Sequence, residues 1–265
     1  MTIFSSDALK NQHILITGAT GGIGYETAKA CAEAGANLTI TGRDEDKLAA
    51  LKGDCEELNP GVSILLFSAD LDAADERDSL LDAAVSENGP VTGLVNGAGI
   101  AGGGPLEELT EEDLRRIMEL NFTSTVLFTQ LVYRHMLVSG RGAVVNVSSL
   151  SGIRGTHGNS AYAGSKFALI GFTQSFAVEA IEHGIRVNAV CPGYVDTKMG
   201  RASIGRKGEK TGRTYEEQLK QAEASIPSGR ISTPEEVAAA IVFLLTDAAA
   251  NIVGESVKIS GGSVM

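Results

Sequence analysis

Between His13 and Ala36 the chain reads HILITGATGGIGYETAKACAEAGA: an apolar strand-like run, a glycine-rich turn and a helix-forming stretch in immediate succession. Little else in the sequence restricts the fold as much. A buried strand that turns straight into a helix is half of a βαβ unit, and that unit builds parallel sheets. Gly18 and Gly22 supply backbone turns that a Cβ would obstruct, and Gly24 permits close packing or close approach of a ligand. The helix expected to begin near Gly22 offers unpaired N–H groups and the positive end of its dipole to an anion. Gly18, Thr20, Gly22, Ile23 and Gly24 are therefore candidates for a phosphate cradle. Their spacing, TGxxxGxG, differs from the GxGxxG of the common dinucleotide fingerprint.

The same alternation continues downstream. Strand-like runs ILIT, LTIT, VSILLF, GLVN, AVVNV, RVNAV and SVKIS are separated by helical stretches. This predicts an α/β, Rossmann-type, doubly wound fold with a seven-stranded parallel sheet flanked by helices. No linker, repeat or low-complexity tract interrupts the pattern, so residues 1–265 are expected to form one nucleotide-binding catalytic domain. Met1 to Asn11 is expected to be a short flexible arm.

The run NLTITGRDEDKL ends where an acidic residue would bind the ribose 2′-hydroxyl of NAD. Gly42 and Arg43 stand there instead. A guanidinium at this point suits a 2′-phosphate, which favours NADP(H) and leaves NAD(H) as the alternative. Asp44 is expected to cap the following helix. The glycine loop contributes no second basic residue.

Further along, SSLSGIRGTHGNSAYAGSK holds Ser149, Tyr162 and Lys166. On a helix, the four-residue offset puts Lys166 one turn from Tyr162 on the same face. A free phenol has a pKa of about 10, and a nearby ammonium is expected to lower it into the range useful for acid-base catalysis. Ser149 would hydrogen-bond the same substrate oxygen. In isolation a Tyr-x-x-x-Lys pair is also what an exposed aromatic under a lysine stem produces.

Taken together, TGATGGIG, NGAG, Ser149, Tyr162-x-x-x-Lys166 and PGYVDT occur in the order of the short-chain dehydrogenase/reductase family, which the chain resembles from about His13 to Gly262. The resemblance implies that Asn121, in ELNFTS, joins Ser149, Tyr162 and Lys166 as a catalytic residue, holding a water that links the lysine to solvent. It implies that Asp70 and Leu71 flank an adenine and that Asn96, Gly97 and Ala98 lie beside the cofactor, which Tyr162 and Lys166 also contact. Pro192, Gly193, Val195 and Thr197 would position the nicotinamide and diphosphate, and a mobile substrate lid would span about 197–228. The helices around Asp113 to His135 and Tyr162 to His183 would pair copies into a homotetramer. Gly97 is a departure, since the family usually has NNAG where this chain has NGAG. AGGGPLEEL, VNAVCPGYVDTKM and SIPSGRISTPEEVAAAIVFLL look most like the reductases of β-ketoacyl and polyketide thioesters within the family.

Composition narrows the partners. A net charge of −11 argues against nucleic acid. No apolar run reaches the roughly 18 to 20 residues that span a bilayer, and no basic-then-apolar leader opens the chain, so a cytoplasmic location without membrane contact is expected. Cys31, Cys55 and Cys191 are too scattered for a disulfide framework or a metal site. His13, His135 and His183 read as packed or surface residues, while His157 lies beside the expected substrate mouth. Against the acidic background, Lys198, Arg201, Arg206, Lys207, Lys210 and Arg213 form a basic island opposed only by Glu209. It would attract an anionic handle such as a coenzyme A phosphate or an acyl carrier domain, unless it is merely a solvated loop. The expected activity is NADPH-dependent reduction of a ketone on a free or carrier-bound thioester. The alternatives are a secondary alcohol dehydrogenase acting on a small uncharged substrate and a non-catalytic nucleotide-binding protein.

Overall fold

A computed structural model describes residues 4–265. Seven strands form one parallel sheet: β1 (His13–Thr17), β2 (Asn37–Gly42), β3 (Ile64–Ser68), β4 (Gly93–Asn96), β5 (Gly142–Val147), β6 (Ile185–Pro192) and β7 (Ser256–Ile259). Their order across the sheet is β3-β2-β1-β4-β5-β6-β7. All seven expected runs became strands, and each neighbouring pair is parallel. Residues of β1, β4 and β6 are buried throughout, as strands covered on both faces must be.

Side-chain alternation divides the core in two. Ile14 and Ile16 of β1 pack with Ala28, Leu48, Leu51 and Ile241 on one face, whereas Leu15 packs with Leu80, Phe128, Val132 and Phe176 on the other. The first layer is built by α1 (Gly22–Glu33), α2 (Glu45–Leu58) and α9 (Pro234–Leu245), the last of these belonging to the C-terminal part of the chain. The second is built by α3 (Ala74–Asn88), α5 (Ser124–Ser139) and α6 (Ser160–Ile181), with α4 (Glu111–Met118) leading into α5. The sequential order of strands reverses between β1 and β4. At such a switch point the loops leaving adjacent strands diverge to opposite faces and open a crevice.

Two expectations need correction. The described part of the N-terminal arm is packed, not flexible: Leu9 is fully buried and its N–H donates to Ala34 O at 2.8 Å. A Cβ on Gly35, whose φ is +88°, would stand 2.7 Å from Ser6 O. Leu9, with Phe4 and Ala8 packed beside it on the core, docks the segment; residues 1–3 of the expected arm lie outside the described residues. The basic island is also not a loop. It forms α7 (Lys198–Thr211), which buries Ile204 and Gly208 and packs against α8 (Tyr215–Ala224). Among the described residues no helix is long and apolar enough to cross a membrane.

Candidate active site

The crevice is lined by the segments that leave β1, β4, β5 and β6. Thr17 ends β1, and its hydroxyl accepts from Gly97 N (3.1 Å) and Ala98 N (3.3 Å), binding the loop after β4 to the start of the glycine turn. Gly18, at φ +66°, lies so close to this loop that a Cβ would come within 2.6 Å of Gly97 C and Ala98 N. Gly22 lies under Thr197, whose methyl would be 2.6 Å from an added Cβ, and Gly24 abuts Gly18 O and Ala19 Cα. These backbones form a cradle that side chains would fill.

The N-terminus of α1 is left open. Gly21 supplies no side-chain cap, and the first turn holds no acidic residue. Its first N–H groups are therefore free to meet an anion. At the end of β2, Thr20 packs against Gly42, Arg43 is exposed, and Asp44 caps α2 by accepting from Lys47 N at 3.1 Å. Beyond β3, Glu76 Oε2 accepts from Asp70 N (2.7 Å) and the buried Arg77 donates to Leu71 O (2.5 Å), so the first turn of α3 fixes the Asp70-Leu71 bend. An open helix N-terminus, a glycine cradle and a free guanidinium fit a nicotinamide dinucleotide bearing phosphates.

Asn96 behaves differently from its neighbours. Its side-chain amide points into the second layer, donating to Thr129 Oγ1 and Asn146 Oδ1, each at 2.8 Å. Both side-chain N–H groups are thus used inside the layer, while its Oδ1 is buried without a partner among the described residues. Gly97 has a steric role as well: a Cβ there would stand 2.7 Å from Thr17 O.

The acid-base residues meet at the other end of the crevice. Ser149 follows β5, and the short turn Leu150–Gly152 holds it against α6, where a Cβ on Gly152 would sit 2.7 Å from Lys166 O. Its oxygen accepts from Ser151 N (3.1 Å), which leaves the hydroxyl proton to donate elsewhere. Lys166, only 5% exposed, donates to Val147 O at 2.8 Å and lies 5.8 Å from the centroid of the Tyr162 ring. Burial lowers its pKa to about 8.

Asn121 sits in a π-helical turn, Glu119–Thr123, between α4 and α5. Rather than bonding its own backbone, its amide grips Ile100, accepting from its N–H (2.8 Å) and donating to its carbonyl (2.9 Å). It also donates to Ser165 Oγ (3.0 Å), which in turn donates to Tyr162 O (2.8 Å). A Cβ on Gly99 would face both Asn121 Oδ1 (3.1 Å) and Lys166 Nζ (3.5 Å), so amide and ammonium share one small space. The structure thus brings Asn121, Ser149, Tyr162 and Lys166 together.

The expected electrostatics are reversed at Tyr162. Burial raises its pKa, and the nearby Ser149 hydroxyl only partly offsets this. The Lys166 ammonium is turned to Val147 O and lies 5.8 Å from the centroid of the ring.

Gly193 N donates to Ile259 O (2.9 Å), Val195 bridges to Ser232, and Thr197 caps α7 by accepting from Gly200 N (3.1 Å). Of the island's cations, Arg201 is paired with Asp196 (2.6 Å) and Arg213 bonds Gln218 (3.4 Å). Lys198, Arg206, Lys207 and Lys210 have no ion-pair partner among the described residues. His157 lines a 330 Å³ cavity with Pro105, Leu106 and Ser160, next to the start of α6. Sequence reading overlooked Ser165, Gly152 and the Thr17 hydroxyl as positioning groups. Only Thr17, at the junction of strand and glycine loop, had a local signal.

Comparison with known proteins agrees with this geometry. The short chain dehydrogenase sequence profile matches residues 12–207. A 2-(S)-hydroxypropyl-CoM dehydrogenase of Xanthobacter autotrophicus is 35% identical over 97% of this chain and 98% of its own length. The 3-oxoacyl-[acyl-carrier-protein] reductase FabG of Vibrio cholerae is 34% identical over 97% and 99%. A solved actinorhodin polyketide ketoreductase with NADPH superposes with a TM-score of 0.92 at 33% identity, covering 95% of this chain and 97% of that one.

Proposed function

The chain belongs to the short-chain dehydrogenase family and is an oxidoreductase of C=O and CH–OH groups; from that premise we propose that it is an NADPH-dependent ketoreductase acting on a β-ketoacyl or polyketide-type thioester. The observation that carries the reading is the convergence of the Tyr162 phenol, Ser149, Lys166 and Asn121 at the end of a crevice lined by an open helix N-terminus and a glycine cradle. A phenol placed there can give a proton to a developing alkoxide or, in reverse, take one from an alcohol.

NADPH, when bound, supplies the hydride. Gly18, Thr20, Gly22, Ile23 and Gly24 would hold its diphosphate, Arg43 its 2′-phosphate, and Asp70 and Leu71 its adenine. The Asn96, Gly97 and Ala98 backbones would line its middle, and Pro192, Gly193, Val195 and Thr197 would position the nicotinamide and diphosphate. Tyr162 donates its proton to the ketone oxygen while Ser149 hydrogen-bonds that oxygen, placing donors where charge develops. Lys166 binds the nicotinamide ribose, and Asn121, through a held water, resupplies the proton. Tyr162→Phe removes the proton and leaves the shape. We expect it to lower kcat by at least about a thousandfold, within the effect of losing general acid catalysis, with NADPH affinity within about twofold of wild type. A fully active variant on the true substrate would sink the mechanism; assays pairing NADPH or NADH with β-keto thioesters, cyclic ketones and sugars identify that substrate.

Unpaired Arg206, Lys207 and Lys210 support an anionic handle on the substrate. Converting all three to Gln should raise KM for coenzyme A or carrier thioesters by about tenfold, as loss of charge complementarity does, and leave kcat unchanged. No change in KM would favour the second reading, a secondary alcohol dehydrogenase for small uncharged substrates. The hydroxypropyl-CoM dehydrogenase relative supports only the oxidative direction of that reading, which the same residues can run.

The enzyme is further proposed to be one catalytic domain with its lid at 197–228, assembling as a homotetramer in the cytoplasm. Exposed apolar residues on α5 and α6, including Leu127, Phe167, Val178 and Ile181, support pairing of those helices between copies. Buried free thiols at Cys31, Cys55 and Cys191 suit a reducing compartment.

A further inference from the structure

A single basic residue at the end of β2 is a weak basis for choosing a phosphorylated ribose, and the glycine loop adds no other. The structure brings a second cation from elsewhere in the chain. Thr20 packs against Gly42 on one side of the glycine turn, and Thr197 packs against Gly22 on the other, so the loop is sandwiched between the end of β2 and the start of α7. Lys198 is the first residue of α7. It is exposed and, among the described residues, has no carboxylate within ion-pair range. Asp196, the nearest acid in sequence, is already engaged by Arg201 at 2.6 and 3.1 Å.

We infer that Lys198 is a second specificity-determining cation for the 2′-phosphate of NADP(H), facing Arg43 across the adenosine end of the crevice and fastening the lid helix to the end of β2 through the bound phosphate. This rests on the NADPH reading above. Two observations support it beyond adjacency. The carboxyl of Asp44, immediately after Arg43, is held below its ordinary value chiefly by hydrogen bonds from Lys47, and the Lys198 ammonium acts on it in the same direction. Lys198 is therefore within electrostatic range of this corner. The corner also needs more positive charge. Asp44, Glu45 and Asp46 crowd the first turn of α2, and among the described residues only Asp44 is neutralised, by Lys47 at 2.5 Å. Arg43 alone would hold a dianion against two uncompensated carboxylates. A lysine on the lid offsets one of them.

Calorimetric titration with 2′,5′-ADP and with 5′-ADP reads the phosphate without turnover. Lys198→Gln should bind 2′,5′-ADP about fivefold to tenfold more weakly, as expected for losing one charge-assisted contact, and 5′-ADP as wild type does. Lys198→Arg should recover most of the loss. If Arg43→Gln loses the preference for 2′,5′-ADP while Lys198→Gln keeps it, the inference is wrong and the NADPH reading stands. Equal binding of both nucleotides by the wild type would overturn the two together. Parallel weakening of both by Lys198→Gln would mark the lysine as a support of the fold and also overturn the inference.

Discussion

The N-termini of α1 and α9 lie in the same layer and are built on opposite rules. Thr233 and Glu236 close α9 with a reciprocal capping box, Pro234 occupies its first turn, and Arg230 braces Glu236. α1 starts from Gly21 with no side-chain cap and no acidic residue. A capping oxygen and a bound phosphate compete for the same N–H groups, so a helix start can be tuned for stability or for anions but not for both. With glycine at the cap position the cost of leaving a side-chain cap out is only about a few tenths of a kcal/mol, small beside what a diphosphate contact returns.

The contrast can be broken most forcefully by giving α1 what α9 has. At Gly21 the backbone (φ −85°, ψ 156°) suits an aspartate, and an added Cβ meets only Gly18 O, at 3.3 Å. Gly21→Asp should weaken NADPH binding by about a hundredfold or more, since a carboxylate about 4 Å from a phosphate at an effective dielectric of 20 costs several kcal/mol. Its melting temperature should rise slightly, because an aspartate cap gains only about a few tenths of a kcal/mol over glycine. Fluorescence titration and a thermal melt report both; normal NADPH affinity would show that the anion is held elsewhere.

The converse changes at α9 are smaller. Thr233→Ala should cost about 1 kcal/mol in urea denaturation and leave NADPH affinity untouched. Any loss of affinity would mean that the two helix ends are not independent. The smallest effect is in acid. Hydrogen bonds from Arg230 and Thr233 depress the Glu236 pKa from 4.5 to about 2. A depressed carboxyl contributes stability above its unfolded pKa and loses it as pH falls through the folded one. Wild type should therefore lose a shallow increment of stability between about pH 4.5 and 2 that Glu236→Gln does not, a difference softened by solvent screening at this exposed pair.

What was legible in the sequence followed from local pattern. Period and burial named all seven strands, the glycine turn announced α1, and the Asp44 cap was readable one residue after Arg43. Illegible features depended on distant parts meeting. Leu9 docks only because the end of α1 reaches it, and Asn96 turns inward only because Thr129 and Asn146 await it. The rise of the Tyr162 pKa was hidden for the same reason. Spacing places a lysine one turn away, but desolvation depends on everything packed around the pair. Lys198 belongs to this class too, being far from Arg43 in sequence and near Asp44 in space.

The π-turn at Asn121 has a consequence for how this chain could change. One extra residue in a helical turn advances everything beyond it by about 100° about the axis. The rotational phase of α5, which directs Phe128, Val132 and Met136 into the core, is thus set by the same distortion that aims the Asn121 amide at Ile100. Deleting a residue there would rotate the helix face as well as remove the amide. Sequence drift that straightens this turn is therefore opposed twice, by chemistry and by packing, and the bulge is an irregularity the second layer cannot shed piecemeal.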